Sequence, residues 1–187
     1  MGFVDKDTVE RVELLMEGMN IRPEGRVVVE LARKASVEAQ KKGKGNKGVF
    51  CGAAIELHNG KIITGKNSTL MHAASSLVLN AVKELADIPD KIHLLSPTVI
   101  ESIANLDKHI LKEKTVSLDL EDTLIALSIS ATTNPTAQLA LERLKDLRGC
   151  EVHMTHIPTP GDEEGLRKLG VNLTSDPNFS SSCLFIA

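Results

Sequence analysis

Two runs rich in β-forming residues, Val49 to Leu57 and Lys61 to Thr64, are separated by His58-Asn59-Gly60. Asn-Gly between such runs is the strongest short-range signal for a β-hairpin, because both residues of a two-residue turn must tolerate positive φ. A hairpin at this point constrains everything around it. It supplies two antiparallel strands, and the remaining chain must complete the sheet and cover it with helices.

Upstream, Asp7-Thr8-Val9-Glu10 has the form of a capping-box variant. Val9, Val12, Leu14, Leu15 and Met19 follow as a rough helical stripe. Pro23 suits the first turn of a second helix, where its missing N–H would be unpaired anyway. Val27, Val28, Leu31 and Ala35 give that helix an inner face, and Gly43 is a natural stop. Lys41 to Gly48 holds four lysines and three glycines, which reads as a solvated, mobile connector. Its other reading is an anion-binding loop, but such loops order their amides at a helix start, and this one leads into a strand.

Downstream, Gly65-Lys66-Asn67-Ser68 leaves the hairpin. Ser68 is an N-cap candidate for a helix carrying Leu70, Ala73, Ala74, Leu77, Val78, Ala81, Val82 and Leu85. This is the one anion-site candidate with a mechanism: glycine for chain reversal, Lys66 for charge and free N–H groups at a helix start. Its plain alternative is a well-made cap. Ile92 to Leu95 reads as a short buried strand, and Ser96-Pro97 as the start of a further helix. A polar stretch from Asp107 to Thr115 precedes a helix over about Asp119 to Thr132, with acidic residues at its positive end. Thr133-Asn134-Pro135 starts the next helix, with Leu139, Leu141, Leu144 and Leu147. Glu151 to Ile157 is a strand, Pro160-Gly161-Asp162 begins a helix that stops at Gly170, and Val171 to Thr174 is the last strand.

This order predicts an α/β protein, a three-layer sandwich on a mixed five-strand sheet. The hairpin is its antiparallel part, and the later strands run parallel through right-handed crossovers. The expected organisation is a helical segment and basic connector over 1–48, an α/β domain over 49–178 and a tail over 179–187.

Composition narrows the function. The 187 residues carry a net charge of −3, no Trp, no Tyr and four Phe. Single-stranded nucleic-acid platforms need stacking rings, and a dedicated DNA binder needs a basic face, so nucleic acid is an unexpected partner. No apolar run approaches the roughly 20 residues that span a bilayer, and no signal peptide is visible. Cys51, Cys150 and Cys183 are odd in number and form no metal pair. Free thiols in a reducing cytoplasm are the expectation.

The element order is also that of the cytidine-deaminase-like layout. Zinc deaminases carry His/Cys-x-Glu on one helix start and Pro-Cys-x-x-Cys on the next. Here His72-Ala73-Ala74 has Ala in place of the proton-shuttling Glu, and Pro97-Thr98-Val99-Ile100-Glu101 has no thiolate. Deaminase chemistry is therefore not expected, nor any metal or other cofactor. His153-Met154-Thr155-His156 looks like a metal pair, but residues three apart on a strand face opposite ways. His153 and Thr155 share a face near the end of a parallel strand, a good place for a ligand pocket.

The longest blocks of the sequence resemble one family. They are Val12 to Met16, Asn59 to Ser68, Leu124 to Leu127, Thr133-Asn134-Pro135, Arg167 to Thr174 and Asp176-Pro177. Over about Val9 to Pro177 the chain is similar to the C-terminal third of DUF1846, a bacterial family of unknown function. The resemblance implies longer relatives with a phosphate-loop-like segment upstream, and it implies no activity for these residues. The connector before Val49 is longer and more basic than the family pattern, and the ending Ser180 to Ala187 lacks the family's aromatic, basic tail.

The leading expectation is a non-catalytic domain that binds a small anionic ligand or docks a partner domain. Its pocket would be formed by Lys66, Asn67, Ser68, Thr133, Asn134, His153 and Thr155. Two alternatives are a homo-oligomerisation module packed through Ala73-Ala74-Ser75-Ser76 and a surviving hydrolase of deaminase-like shape.

Overall fold

The computed structural model of the chain describes residues 5–112 and 117–180. Its elements run α1 (Lys6–Gly18), α2 (Val27–Lys41), β1 (Gly52–Glu56), β2 (Ile62–Lys66), α3 (Ala73–Leu85), α4 (Pro97–Asn105), α5 (Leu120–Ala131), α6 (Pro135–Glu142), β3 (Glu151–Met154), α7 (Pro160–Leu169) and β4 (Asn172–Ser175). The order in the sheet is β2-β1-β3-β4. β1 runs antiparallel to both β2 and β3, and β3 runs parallel to β4.

The α/β class and the mixed sheet are as expected, but the described residues form four strands, not five. Ile92 to Leu95 is not one of them. Leu94 and Leu95 are buried, yet the Ser96 N–H that follows donates to Ser130 Oγ of α5 at 2.9 Å instead of to a strand. A short apolar run signals burial without saying whether a helix or a sheet does the burying. Antiparallel pairing is also not confined to the hairpin. β2, β3 and β4 share one direction, and β1 sits between β2 and β3 pointing the other way.

The hairpin loop differs in detail from the two-residue turn. Leu57 C=O accepts from Gly60 N–H at 2.8 Å, and Gly60 alone in the loop has positive φ, at 79°. This is a three-residue loop with glycine in the left-handed position. Turn geometry with two positive φ values occurs instead at the end of the basic connector. There Lys47 (49°) and Gly48 (81°) sit between Asn46 and Val49, whose N–H and C=O groups bond each other reciprocally at 3.1 and 2.9 Å. The connector's end is thus an ordered turn, not a mobile link.

Helices cover both faces of the hairpin. On one face α2 packs Val28 and Ala32 against Ala54. On the other, α3 heads the main core, where Leu77 and Val78 meet Ile55 and Val152. Two glycines set the spacing. A Cβ on Gly52 would lie 2.2 Å from Ala32 O of α2, and one on Gly65 would lie 2.4 Å from Leu77 N of α3. Neither strand could approach its helix so closely with a side chain there.

Several helix starts move. Asp5, not Asp7, caps α1 by accepting from Thr8 N–H at 2.7 Å. Pro23 opens a separate 3-10 turn before α2. α3 begins at Ala73 with His72 as N-cap, so Ser68 caps no helix. Its Oγ accepts from Leu70 and Met71 N–H at 3.2 Å within a turn. The starts at Asp119 and Asn134 form as expected, and Thr159, not singled out in the sequence, caps α7; each side chain accepts from N–H groups of the first turn. Residues 113–116, part of the polar stretch, and 181–187, most of the tail with Cys183, lie outside the described residues.

Ala73, Ala74 and Ser75 are fully or almost fully buried inside this chain. Their small size lets α3 sit on Gly65, while Ser76, the fourth residue of that stripe, is half-buried and borders a cleft. By contrast α1 buries no residue. Leu14, Leu15 and Met19 are 67%, 62% and 60% exposed.

Candidate functional site

The seven residues expected to share one pocket lie in three places. Lys66, Asn67 and Ser68 border a cleft of about 460 Å³ between the end of β2 and the outer side of α3. Thr133 is exposed, and Asn134 spends its side chain capping α6. His153 and Thr155 point to the α2 side of the sheet. His153 Nδ1 pairs with Thr174 Oγ1 at 2.9 Å, and its Nε2 lies 3.3 Å from Asp176. Asp176 is held in turn by Arg33, whose Nε and Nη2 donate to its two oxygens at 3.0 and 2.7 Å. Burial pushes the His153 imidazole down by more than Asp176 draws it up. The Arg33 hydrogen bonds hold the Asp176 carboxyl below its usual range. This network ties α2 to the end of the parallel pair and reads as architecture.

The cleft beside Lys66 owes nothing to a helix start, since α3 begins further on. What it has is charge of one sign. Lys44, Lys66 and Lys83 line it together with His93, Ser68 and Asn80, over an apolar floor that includes Leu79 and Leu94. No acidic side chain is among the described residues lining it. Lys66 Nζ reaches Glu38 at 2.9 Å, and that bond lowers the Glu38 carboxyl. Lys83 Nζ donates to Asp90 C=O at 2.9 Å, which orders the cation without neutralising it.

Asn67 also borders a second, smaller cavity of about 200 Å³ with Cys51, His72, Met154, His156 and Asp162. The Asn67 amide holds the wall in place: Oδ1 accepts from Cys51 N–H at 2.8 Å and Nδ2 donates to Val49 C=O at 3.0 Å. His72, at the start of α3, pairs through Nδ1 with Asp162 Oδ2 at 2.8 Å. Asp162 lies in the first turn of α7, the helix after β3. The helix start that faces His72 is therefore that of α7, not the Pro97 start of α4. Sequence reading passed over Asp162 as a mere helix beginner. The signal that could have found it is Thr159-Pro160-Gly161-Asp162, an N-cap with a carboxylate in the first turn directly after a strand.

Burial alone would lower the His72 imidazole. The hydrogen bond to Asp162 and the charges of Asp162, Asp119 and Asp122 outweigh it and leave the ring raised above its ordinary value. His156, with no carboxylate in contact, is pushed down by burial, with only weak opposition from Asp176. Cys51 is pushed up to about 12, by burial first and the Asp162 charge second. Among the described residues no three His, Cys, Asp or Glu side chains gather as a metal-holding set, and no helix is long and apolar enough to cross a membrane.

Comparison with known proteins bears on all of this. The family described as "Domain of unknown function DUF1846, C-terminal" matches residues 24–185. A UPF0371 protein of Clostridium tetani is 44% identical over 184 residues. A UPF0371 protein of Clostridium botulinum strain 657 is 46% identical over 185 residues. Both alignments cover 98% of this chain and 36% of the relative, so the chain spans about a third of the length of these relatives.

Proposed function

The chain belongs to the DUF1846 family, matching its C-terminal domain, and on that premise we propose that it binds a small anionic ligand in the cleft between β2 and α3. The observation that carries this reading is the lining: three lysines and a histidine, with no carboxylate among the described lining residues, on a chain whose net charge is −3. A cleft lined by one sign of charge concentrates its field on a counter-charged ligand. Lys66 and Lys83 supply the charge, Ser68 and Asn80 the hydrogen bonds, and the leucine floor the apolar contact. Glu38 is the competitor that a ligand displaces from Lys66. Pyrophosphate and nucleotides, titrated by calorimetry and thermal shift, test this. Binding that weakens with salt and is lost in Lys66→Ala is the expected result. No ligand-induced shift, or a shift that Lys66→Ala leaves intact, removes the reading.

The exposure of α1 favours a second reading, the docking of a partner domain. A helix with Leu14, Leu15 and Met19 all outward has an apolar stripe that nothing in the described chain covers. The relatives are nearly three times longer, and the partner we assign is their additional sequence. Co-purification of this chain with the upstream two thirds of the Clostridium tetani relative, lost when Leu14 and Leu15 become Asp, is the expected outcome. A concentration-dependent dimer of this chain would instead favour self-association. The cytidine-deaminase-like layout belongs to the same reading of the scaffold. It is supported by a β1 that opposes three mutually parallel strands and by the meeting of the α3 and α7 starts at His72 and Asp162.

A further inference from the structure

The smaller cavity carries two histidines whose hydrogen bonds give them opposite tautomers. Asp162 is 3% exposed. Its Oδ1 accepts from Leu120 N–H at 3.0 Å. Its Oδ2 accepts from the Thr159 hydroxyl at 2.8 Å and faces His72 Nδ1 at 2.8 Å. A carboxylate only accepts, so the His72 hydrogen is on Nδ1 and the neutral ring keeps its lone pair on Nε2. That nitrogen has no hydrogen-bond partner among the described residues. Thr155, 4% exposed, gives the second histidine the reverse arrangement. Its Oγ1 accepts from Gly52 N–H at 2.9 Å and lies 2.9 Å from His156 Nδ1. The buried hydroxyl needs an acceptor, and His156 Nδ1 is the one it has among the described residues. His156 therefore carries its hydrogen on Nε2.

One cavity is thus lined by an oriented base and a neutral N–H donor. Its volume of about 200 Å³ exceeds the ~150 Å³ that accommodates benzene, so a small molecule fits. We infer that this cavity is a hydrolytic site for a small acyl compound, in which His72 takes the proton of the attacking water and His156 hydrogen-bonds the carbonyl oxygen. The water oxygen bonds the carbonyl carbon as its proton passes to His72 Nε2. Asp162 stabilises the imidazolium that results. The electron pair of the C=O bond moves to oxygen, opposite the His156 N–H. When it returns, the bond to the leaving group breaks, and the proton on His72 leaves with that group. Acyl compound and water become acid and alcohol, with nothing left over.

Environments that push two titratable groups apart mark an acid–base division of labour, and His72 and His156 are moved in opposite directions. Cys51 also lines the cavity, but a buried thiol pushed upward stays protonated and inert. The Ser117 and Thr159 hydroxyls donate to Ser68 C=O and to Asp162, not to His72, and the attacking group we assign is water. This inference does not rest on the lysine cleft, and either can fail alone.

The test uses the 187-residue chain and 4-nitrophenyl acetate as probe. Hydrolysis is expected to rise with pH through the His72 titration and then level off, and to fall at least about tenfold in His72→Gln and in His156→Gln. The ¹⁵N spectrum of histidine-labelled protein at pH 8 reads the tautomers without any turnover. It is expected to show the hydrogen on Nδ1 of His72 and on Nε2 of His156. Equal rates in wild type and His72→Gln overturn the inference, and so does a His72 ring protonated on Nε2.

Discussion

α1 and α3 are both 13 residues long, and both show apolar residues at helical spacing, yet they end in opposite situations. α3 buries eight of its residues. α1 buries none and turns Leu14 and Leu15 outward. The difference lies in what the chain can bring to each. α3 follows the hairpin directly, its first turns are Ala and Ser, and Gly65 on β2 lets the backbones meet. α1 precedes α2, which already fills the opposite face of the sheet with Val28 and Ala32. An apolar stripe states that a surface wants covering, and only the arrangement of the other elements states whether this chain can cover it.

The most severe way to break that comparison is to put a side chain between α3 and β2. Gly65→Val drives carbon into the Leu77 N–H and Ala73 C=O of α3, groups that cannot swing aside. A loss of about 3 kcal/mol or more is expected, measured by urea denaturation. Leu77→Ala removes a fully buried side chain from the same contact and should cost about 2 to 3 kcal/mol. A loss below about 1 kcal/mol would show that α3 is packed less tightly than its burial implies.

The N-cap of α3 sharpens the comparison through pH. The folded-state pKa of His72 is raised above an unfolded value of about 6.5. The native state therefore binds the proton more tightly than the unfolded chain does. Its stabilisation is complete below about pH 6.5 and is lost as pH rises through the folded pKa. Asp176 works in the opposite sense. Its lowered pKa gives stabilisation that is present above about pH 4 and lost as the solution is acidified further. Stability measured from pH 5 to 9 should decline with pH more in wild type than in His72→Gln. Parallel curves would remove the His72–Asp162 coupling.

The smallest effect belongs to α1. Leu14→Ala with Leu15→Ala should change stability by less than about 0.5 kcal/mol, while weakening any partner complex formed through that helix. A loss above 2 kcal/mol would mean that α1 is covered in solution.

Individual residues show how far the sequence could be read. The Asn134-Pro135 start of α6, the Asp119 start of α5 and the Gly170 end of α7 all form, because each rests on a bond or a φ value within one turn. The N-cap of α3 lies four residues beyond the expected Ser68, at His72, because Ser68 satisfies nearby N–H groups in a turn as readily as in a helix. Ile92 to Leu95 has the apolar run of a strand, but forms none and is buried against helices. In the candidate sites the positive charge of Lys66 was legible. Its separation from His153 was not: both residues lie on the α2 side of the sheet, but β1 stands between their strands.

The sequence alone determined the local matters: the hairpin, the starts of α5 and α6, the end of α7, the α/β class and the kinship with a family. These follow from forces between residues a few positions apart and from the repeat of apolar side chains. The tertiary structure alone decided that β3 lies beside β1, that α7 brings Asp162 to His72, 90 positions away in the chain, and that three lysines border one cleft. Such pairings are set by close packing across the sheet, where Gly52 and Gly65 let helices in from both sides.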